Sequence, residues 1–143
     1  MKKHTLLLIA LISIVLVSCS TLTPGEKGKL ANNAWELEYV TGPRITFAGL
    51  FPDDKPEIRF NEELKKVSGT TGCNGYSTTY TTNGKMISFA IPGVTTMRYC
   101  GDGEAVFLET MKKIDNYRFT TDGKLELLMN DGVMMRFKSS IKR

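Results

Sequence analysis

Apolar positions change their spacing twice along the chain, and the changes divide it into three parts. Behind Lys2 and Lys3, the stretch from Leu6 to Val17 is apolar but for Ser13. It is shorter than the roughly 20 residues that span a hydrocarbon core. From Ser20 to Asn33 the chain turns polar, and Pro24, Gly25 and Gly28 interrupt any core face. From Trp35 onward apolar residues alternate with polar ones, the period of half-buried strands.

Trp35, Leu37 and Tyr39 alternate with Glu36 and Glu38, which predicts a strand with the three apolar rings and chains on one face. Ile45-Thr46-Phe47 reads as a short strand before a loop around Gly49 to Pro56. Ile58 and Phe60 mark a further strand ending near Asn61-Glu62. Val67 to Thr82, rich in threonine and tyrosine, fits strands of a partly polar sheet. Ile87, Phe89 and Ile91 share a face ahead of a turn at Pro92-Gly93. Tyr117–Thr121, Lys124–Met129 and Val133–Lys138 form a meander, its turns built on Asp122-Gly123 and Asn130-Asp131-Gly132, where the Asp-Gly pairs accept positive backbone dihedrals. The helical segment is Gly103 to Ile114. Asp102 caps it, Phe107, Met111 and Ile114 recur at offsets of four and seven, and Lys112 and Lys113 sit near its negative end. Its stripe is expected to cover one opening or face of the sheet. About 100 residues, Trp35 to Phe137, suffice for one modest core and not for two.

The first part ends in Leu16-Val17-Ser18-Cys19, a small residue before cysteine at the close of a positive-then-apolar leader. That pattern is a lipoprotein processing box. The expected organisation is a signal peptide over 1–18, a lipidated tether over 19–33 and a folded domain over 34–143. Removing the first 18 of 143 residues leaves 125, beginning at a Cys19 that carries the acyl chains. Two or three acyl chains hold a protein on a membrane where one does so only marginally. Ser20 stands where an Asp would mark inner-membrane retention, so the expected location is the outer membrane of a bacterial envelope, with a periplasmic domain and room for surface exposure.

Processing also alters the charge. The full chain has 19 basic and 15 acidic residues; loss of Lys2 and Lys3 leaves 17 against 15. Lys65-Lys66 and Lys112-Lys113 are short pairs near acids, unlike a phosphate-binding stripe, so nucleic acid is not an expected partner. His4, the single histidine, leaves with the leader. Ser-His-Asp relays, Cys-His pairs and His-containing zinc sites are thereby excluded, although acid pairs and lysine-assisted serines are not. Glu36 and Glu38 fall on the outer face of one strand as solubilising residues, and Asp53, Asp54, Asp102 and Glu104 take loop and cap roles. Gly69-Thr70-Thr71-Gly72 lacks the lysine of a phosphate loop. No catalytic residue, cofactor or metal is expected.

Cys73 and Cys100 remain, 27 positions apart. They admit three readings: a structural bridge, two buried thiols, or a redox site. An oxidising compartment favours the bridge, and loop entropy gives it roughly 3 to 4 kcal/mol. Around the first cysteine, Gly72 permits close backbone passage, Asn74-Gly75 suits a turn, and Asn74 can bond neighbouring backbone or face a ligand. Tyr76 and Tyr80 place their rings on one strand face, as core or as a binding surface.

Gly69-Thr70-Thr71-Gly72-Cys73-Asn74-Gly75-Tyr76, with Tyr80 following, resembles the Gly-Cys-Asn signature of the META-domain family, which includes HslJ-like heat-shock lipoproteins. Thr95-Thr96-Met97-Arg98-Tyr99-Cys100, then Glu104 and Phe107, resembles its second signature and following helix, and Gly123-Lys124-Leu125-Glu126-Leu127 fits as well. The resemblance implies a mainly β (α+β) fold, a curved antiparallel sheet approaching a barrel and packed with one helix. It implies an envelope and stress association, no general catalytic reaction, and Cys73 and Cys100 as the signature cysteines. The family usually places Arg before Met in the second motif. Here Met97 precedes Arg98, so no role is carried onto Arg98.

The expected function is a lipid-anchored envelope accessory or binding domain, attached to the membrane through its N-terminal lipid, whose partner is an envelope protein, a peptide or a glycan. The alternative is a structural or stress-protective lipoprotein with no specific ligand pocket.

Overall fold

The computed structural model describes residues 29–31, 33–42 and 44–140. The processing box and Cys19 lie outside the described residues. The alternating stretches become nine strands: β1 Ala34–Val40, β2 Glu57–Asn61, β3 Lys66–Thr70, β4 Gly75–Asn83, β5 Met86–Phe89, β6 Gly93–Val94, β7 Asn116–Phe119, β8 Leu125–Met129 and β9 Gly132–Ser139. Among the described residues, two helices join them, α1 Phe47–Leu50 and α2 Gly103–Met111, and residues 29–31 are helical ahead of β1.

All pairings are antiparallel. Strand order runs β3-β2-β1-β9-β8-β7-β5-β4-β6, and β3 also pairs with β4. That last pairing closes eight strands into a barrel and leaves β6 as a flap on the side of β4. In β4, Tyr76, Thr78 and Tyr80 point inward while Ser77, Thr79 and Thr81 are exposed, so one strand supplies both wall surfaces. The interior is filled. Trp35, Leu37, Ile58, Phe60, Val67, Leu125, Leu127, Met135 and Phe137 are all buried, and α2 adds Phe107 and Met111, with Ile114 just beyond its end. Leu30 joins this core ahead of β1, where its carbonyl accepts the Trp35 indole N–H at 3.1 Å.

Several elements depart from the sequence reading. Tyr39 does not join Trp35 and Leu37 inside. Leu37 pairs with Phe137 but Tyr39 with Arg136, so a bulge at Glu38 shifts the alternation and puts Tyr39 on the outer face, its ring 5.8 Å from the Arg136 guanidinium. Ile45-Thr46-Phe47 is not a strand, because the Thr46 hydroxyl accepts the Gly49 N–H and caps α1. Ile91 does not share a face with Ile87 and Phe89, since β5 ends at Phe89. In place of a turn at Pro92-Gly93, Gly93–Val94 pairs with Ser77 and Tyr76 as β6. In the meander, Gly123 carries the positive φ of the first turn, but the second uses Asn130 at φ 54° rather than its Asp-Gly pair, because β9 already begins at Gly132. Asp102 makes no side-chain cap bond to α2; its own backbone is helical, which turns its carboxylate from the amides.

The outer wall of the meander is held by charge. Arg118, Glu126 and Arg136 stand in register across β7, β8 and β9. Glu126 is buried and accepts Nε–H bonds from Arg118 at 2.7 Å and Arg136 at 2.8 Å. Glu36 and Glu38, read as outward solubilising residues, are paired, Glu36 with Lys55 and Lys138 and Glu38 with Lys124.

Burial alone would raise the Glu126 pKa, but the hydrogen bonds and charges of Arg136 and Arg118 outweigh it and hold the carboxyl below its usual range. The unfolded chain therefore binds this proton more tightly than the folded one. The resulting stabilisation is present above the ordinary carboxylate pKa and is lost as pH falls through the lowered folded value. Glu126→Gln should cost about 2 kcal/mol at neutral pH, with the deficit shrinking on acidification. Denaturant midpoints of both proteins from about pH 3 to pH 7 measure this; a pH-independent gap would refute it.

Candidate functional site

The turn between β3 and β4 is set by residue types that few positions demand. Gly72 has φ 85°, and a Cβ there would lie 2.6 Å from the Asp54 carbonyl oxygen, so this residue turns the chain where a side chain has no room. The Thr71 hydroxyl accepts the Asn74 N–H at 2.9 Å, and the Thr71 N–H donates to the Asn74 carbonyl at 2.8 Å. These bonds fold Thr71–Asn74 back on itself and aim the Asn74 side chain into the structure. Gly75 then opens β4 beside Thr95, whose hydroxyl would meet an added Cβ at 2.6 Å.

Asn74 is 2% exposed, and every hydrogen-bonding position of its carboxamide is used. Oδ1 accepts from the Thr96 hydroxyl at 2.6 Å and from the Arg98 N–H at 2.9 Å. Nδ2 donates to the Arg98 carbonyl at 2.7 Å and to Glu104 Oε2 at 2.9 Å. Glu104, in the first turn of α2, also receives the Thr71 hydroxyl at 2.5 Å. One carboxamide thus joins the Gly-Cys-Asn turn, the Thr96–Arg98 segment and the start of α2. Beside it, the sulfurs of Cys73 and Cys100 stand at disulfide distance, with their Cα atoms 5.8 Å apart.

Tyr76 and Tyr80 are not at this surface. Tyr76 packs edge-on against Phe107 at 5.5 Å and donates its hydroxyl to the Glu57 carbonyl, and burial pushes its pKa far up. Tyr80 packs edge-on against Phe60 at 5.2 Å. Both serve the core, and Asn74 has no bonding position left for a ligand.

The surface carries other side chains. Ile91 is 80% exposed, Met97 98% and Tyr99 85%, with Val94 also exposed between them. Arg98 lies among them, its Nε–H directed at Cys100 Sγ at 3.2 Å. Met97 and Arg98 border a shallow cleft with Cys73, Asn74 and Thr96. Sequence reasoning missed the roles of Thr71, Thr96 and Glu104, and it placed Ile91 on one face with Ile87 and Phe89. An acid in the first turn of a helix satisfies the dipole whether or not it is also a buried contact, so Glu104 gave no distinguishing signal. Charge depletion was the available signal for the surface: from Met86 to Gly101 the sole charged residue is Arg98. Among the described residues, no three His, Cys, Asp or Glu side chains are grouped to hold a metal ion.

The family model of the META domain matches residues 28–141. The fold is similar to the NMR structure of a protein from Burkholderia xenovorans, with a TM-score of 0.62 and 20% identity over 88% of this chain and 94% of that one. No curated protein matches the chain in sequence.

Asn74→Ala removes the node and leaves its partners unpaired, at an expected cost of about 3 kcal/mol. Asn74→Asp keeps the shape but sets a carboxylate against Glu104, so its larger deficit at neutral pH should ease on acidification. Thermal unfolding of the two variants at about pH 5 and pH 7 separates shape from charge. Cys73→Ser should lose roughly 3 to 4 kcal/mol in the same assay under oxidising conditions. A wild-type protein whose two thiols alkylate freely without reductant would refute the bridge.

Proposed function

This chain belongs to the META-domain family, and on that footing we propose that it acts as a lipid-anchored accessory or binding domain of the bacterial cell envelope, without a catalytic step of its own. Acyl chains on Cys19 hold it at the outer membrane, and the tether sets the barrel in the periplasm. Its partner is another envelope component.

One observation carries the binding role. Segment 91–99 has its main chain fastened to the barrel through Asn74 and β6, yet its apolar side chains Ile91, Val94, Met97 and Tyr99 are exposed. A folding device would turn those side chains inward. A rigid main chain with outward apolar groups is instead an arrangement prepared for contact. Membrane attachment through lipid agrees with the sequence at Leu16-Val17-Ser18-Cys19 and with a leader too short to span. Among the described residues no helix is long and apolar enough to cross a membrane.

Cys19→Ser tests the anchor. The variant should move from the membrane fraction to the soluble fraction and lose metabolic palmitate labelling, while the barrel keeps its melting temperature. Retention of the variant in washed membranes, with label, would refute lipid attachment at this residue.

A further inference from the structure

β6 ends the strand order, so it has a strand partner on one side and an open edge on the other. Such an edge offers main-chain groups to any extended peptide laid beside it. Ile91, Val94, Met97 and Tyr99 flank that edge and are exposed. Interface centres are poor in Lys, Asp and Glu and rich in Tyr, Met and Arg, the composition of Met97-Arg98-Tyr99.

Arg98 identifies the occupant. Eight ion pairs form among the described residues, and Arg98 is in none of them. Its backbone is fixed by Asn74, and its guanidinium borders the open cleft, donating to Cys100 Sγ and to the Cys73 carbonyl, so a cation bonded to no carboxylate is held at a set place. A second copy of this chain fits poorly, because a two-fold contact through the segment brings Arg98 against Arg98 with no acid between Met86 and Gly101. An anionic lipid surface calls for a cluster of cations, and this run has one.

We propose that segment 91–99 docks an extended peptide segment of another protein, which adds as a strand along β6 and places a carboxylate on Arg98. The inference rests on the reading of the chain as an envelope binding domain and names its surface and partner chemistry.

The test uses the full chain in its native membrane, with photoreactive benzoylphenylalanine replacing Met97 and, as a control, replacing the exposed Leu64 in the β2–β3 turn. Irradiation at position 97 should give an adduct with a peptide of another protein, mapped by mass spectrometry to a segment with Asp or Glu within about three residues of the cross-link. Arg98→Glu should reduce that adduct at least about tenfold and Arg98→Gln by about threefold, with melting temperatures changed little, as for exposed positions. If Arg98→Glu disturbs folding, the neutral Arg98→Gln decides. A phospholipid adduct, a cross-linked dimer, no adduct, or an adduct indifferent to both Arg98 variants would overturn the proposal. Cross-linking at position 64 alone would leave the binding role standing and move it elsewhere. Loss of the unmodified chain from the membrane fraction would instead strike the anchoring.

Discussion

A single buried carboxamide, that of Asn74, fixes three pieces of chain that share no other regular structure. The Thr71–Asn74 turn, the Thr96–Arg98 segment and the first turn of α2 meet at its oxygen and nitrogen. An amide suits this place because it donates and accepts at once. A carboxylate would have no proton for the Arg98 carbonyl or for Glu104, and an apolar group would strand all four partners. The disulfide-distance cysteines reinforce the same connection by a different means. The bridge limits the unfolded chain, whereas the carboxamide sets the geometry of the folded one.

The barrel supplies the frame for that node. Eight strands close because β3 reaches β4, and the closure removes the free edges from all but the flap. β4 makes this possible by pairing with β3 along one side, and with β6 and then β5 along the other. Bulges near Glu38 and Met134 shift the register of β1 against β9 and of β8 against β9, and a bulge of this kind bends the strand that carries it. The inner surface is then filled by aromatic and aliphatic side chains and plugged by Phe107 and Met111.

Much of this frame was legible from spacing alone. Trp35 and Leu37, Ile58 and Phe60, and the final meander declared themselves through period-two alternation, and the helix through Phe107, Met111 and Ile114. Where the reading failed, a local event broke the period. A bulge turned Tyr39 outward, a threonine cap converted Ile45–Phe47 into the start of a helix, and β6 took the place of a turn. None of these leaves a mark in apolar spacing, because each depends on which backbone lies alongside. The same limit applied to the node. Cys73, Cys100 and the turn were visible as a motif, but the bonds from Asn74 to Thr96, Arg98 and Glu104 cross 22 to 30 positions of sequence.

Rigidity and exposure are usually opposed, since an exposed apolar segment with few contacts tends to move. Here they are combined by separating the two roles within the same residues. Arg98 gives its N–H and carbonyl to Asn74 while its guanidinium borders the cleft, bonded to Cys100 Sγ and the Cys73 carbonyl; Val94 pairs its backbone with Tyr76 and leaves its side chain exposed. Binding through a main chain already held in place forfeits less conformational entropy than binding through a loose loop. The buried Asn74 therefore belongs to the surface above it, because it determines where the main chain of Arg98 and its apolar neighbours stands.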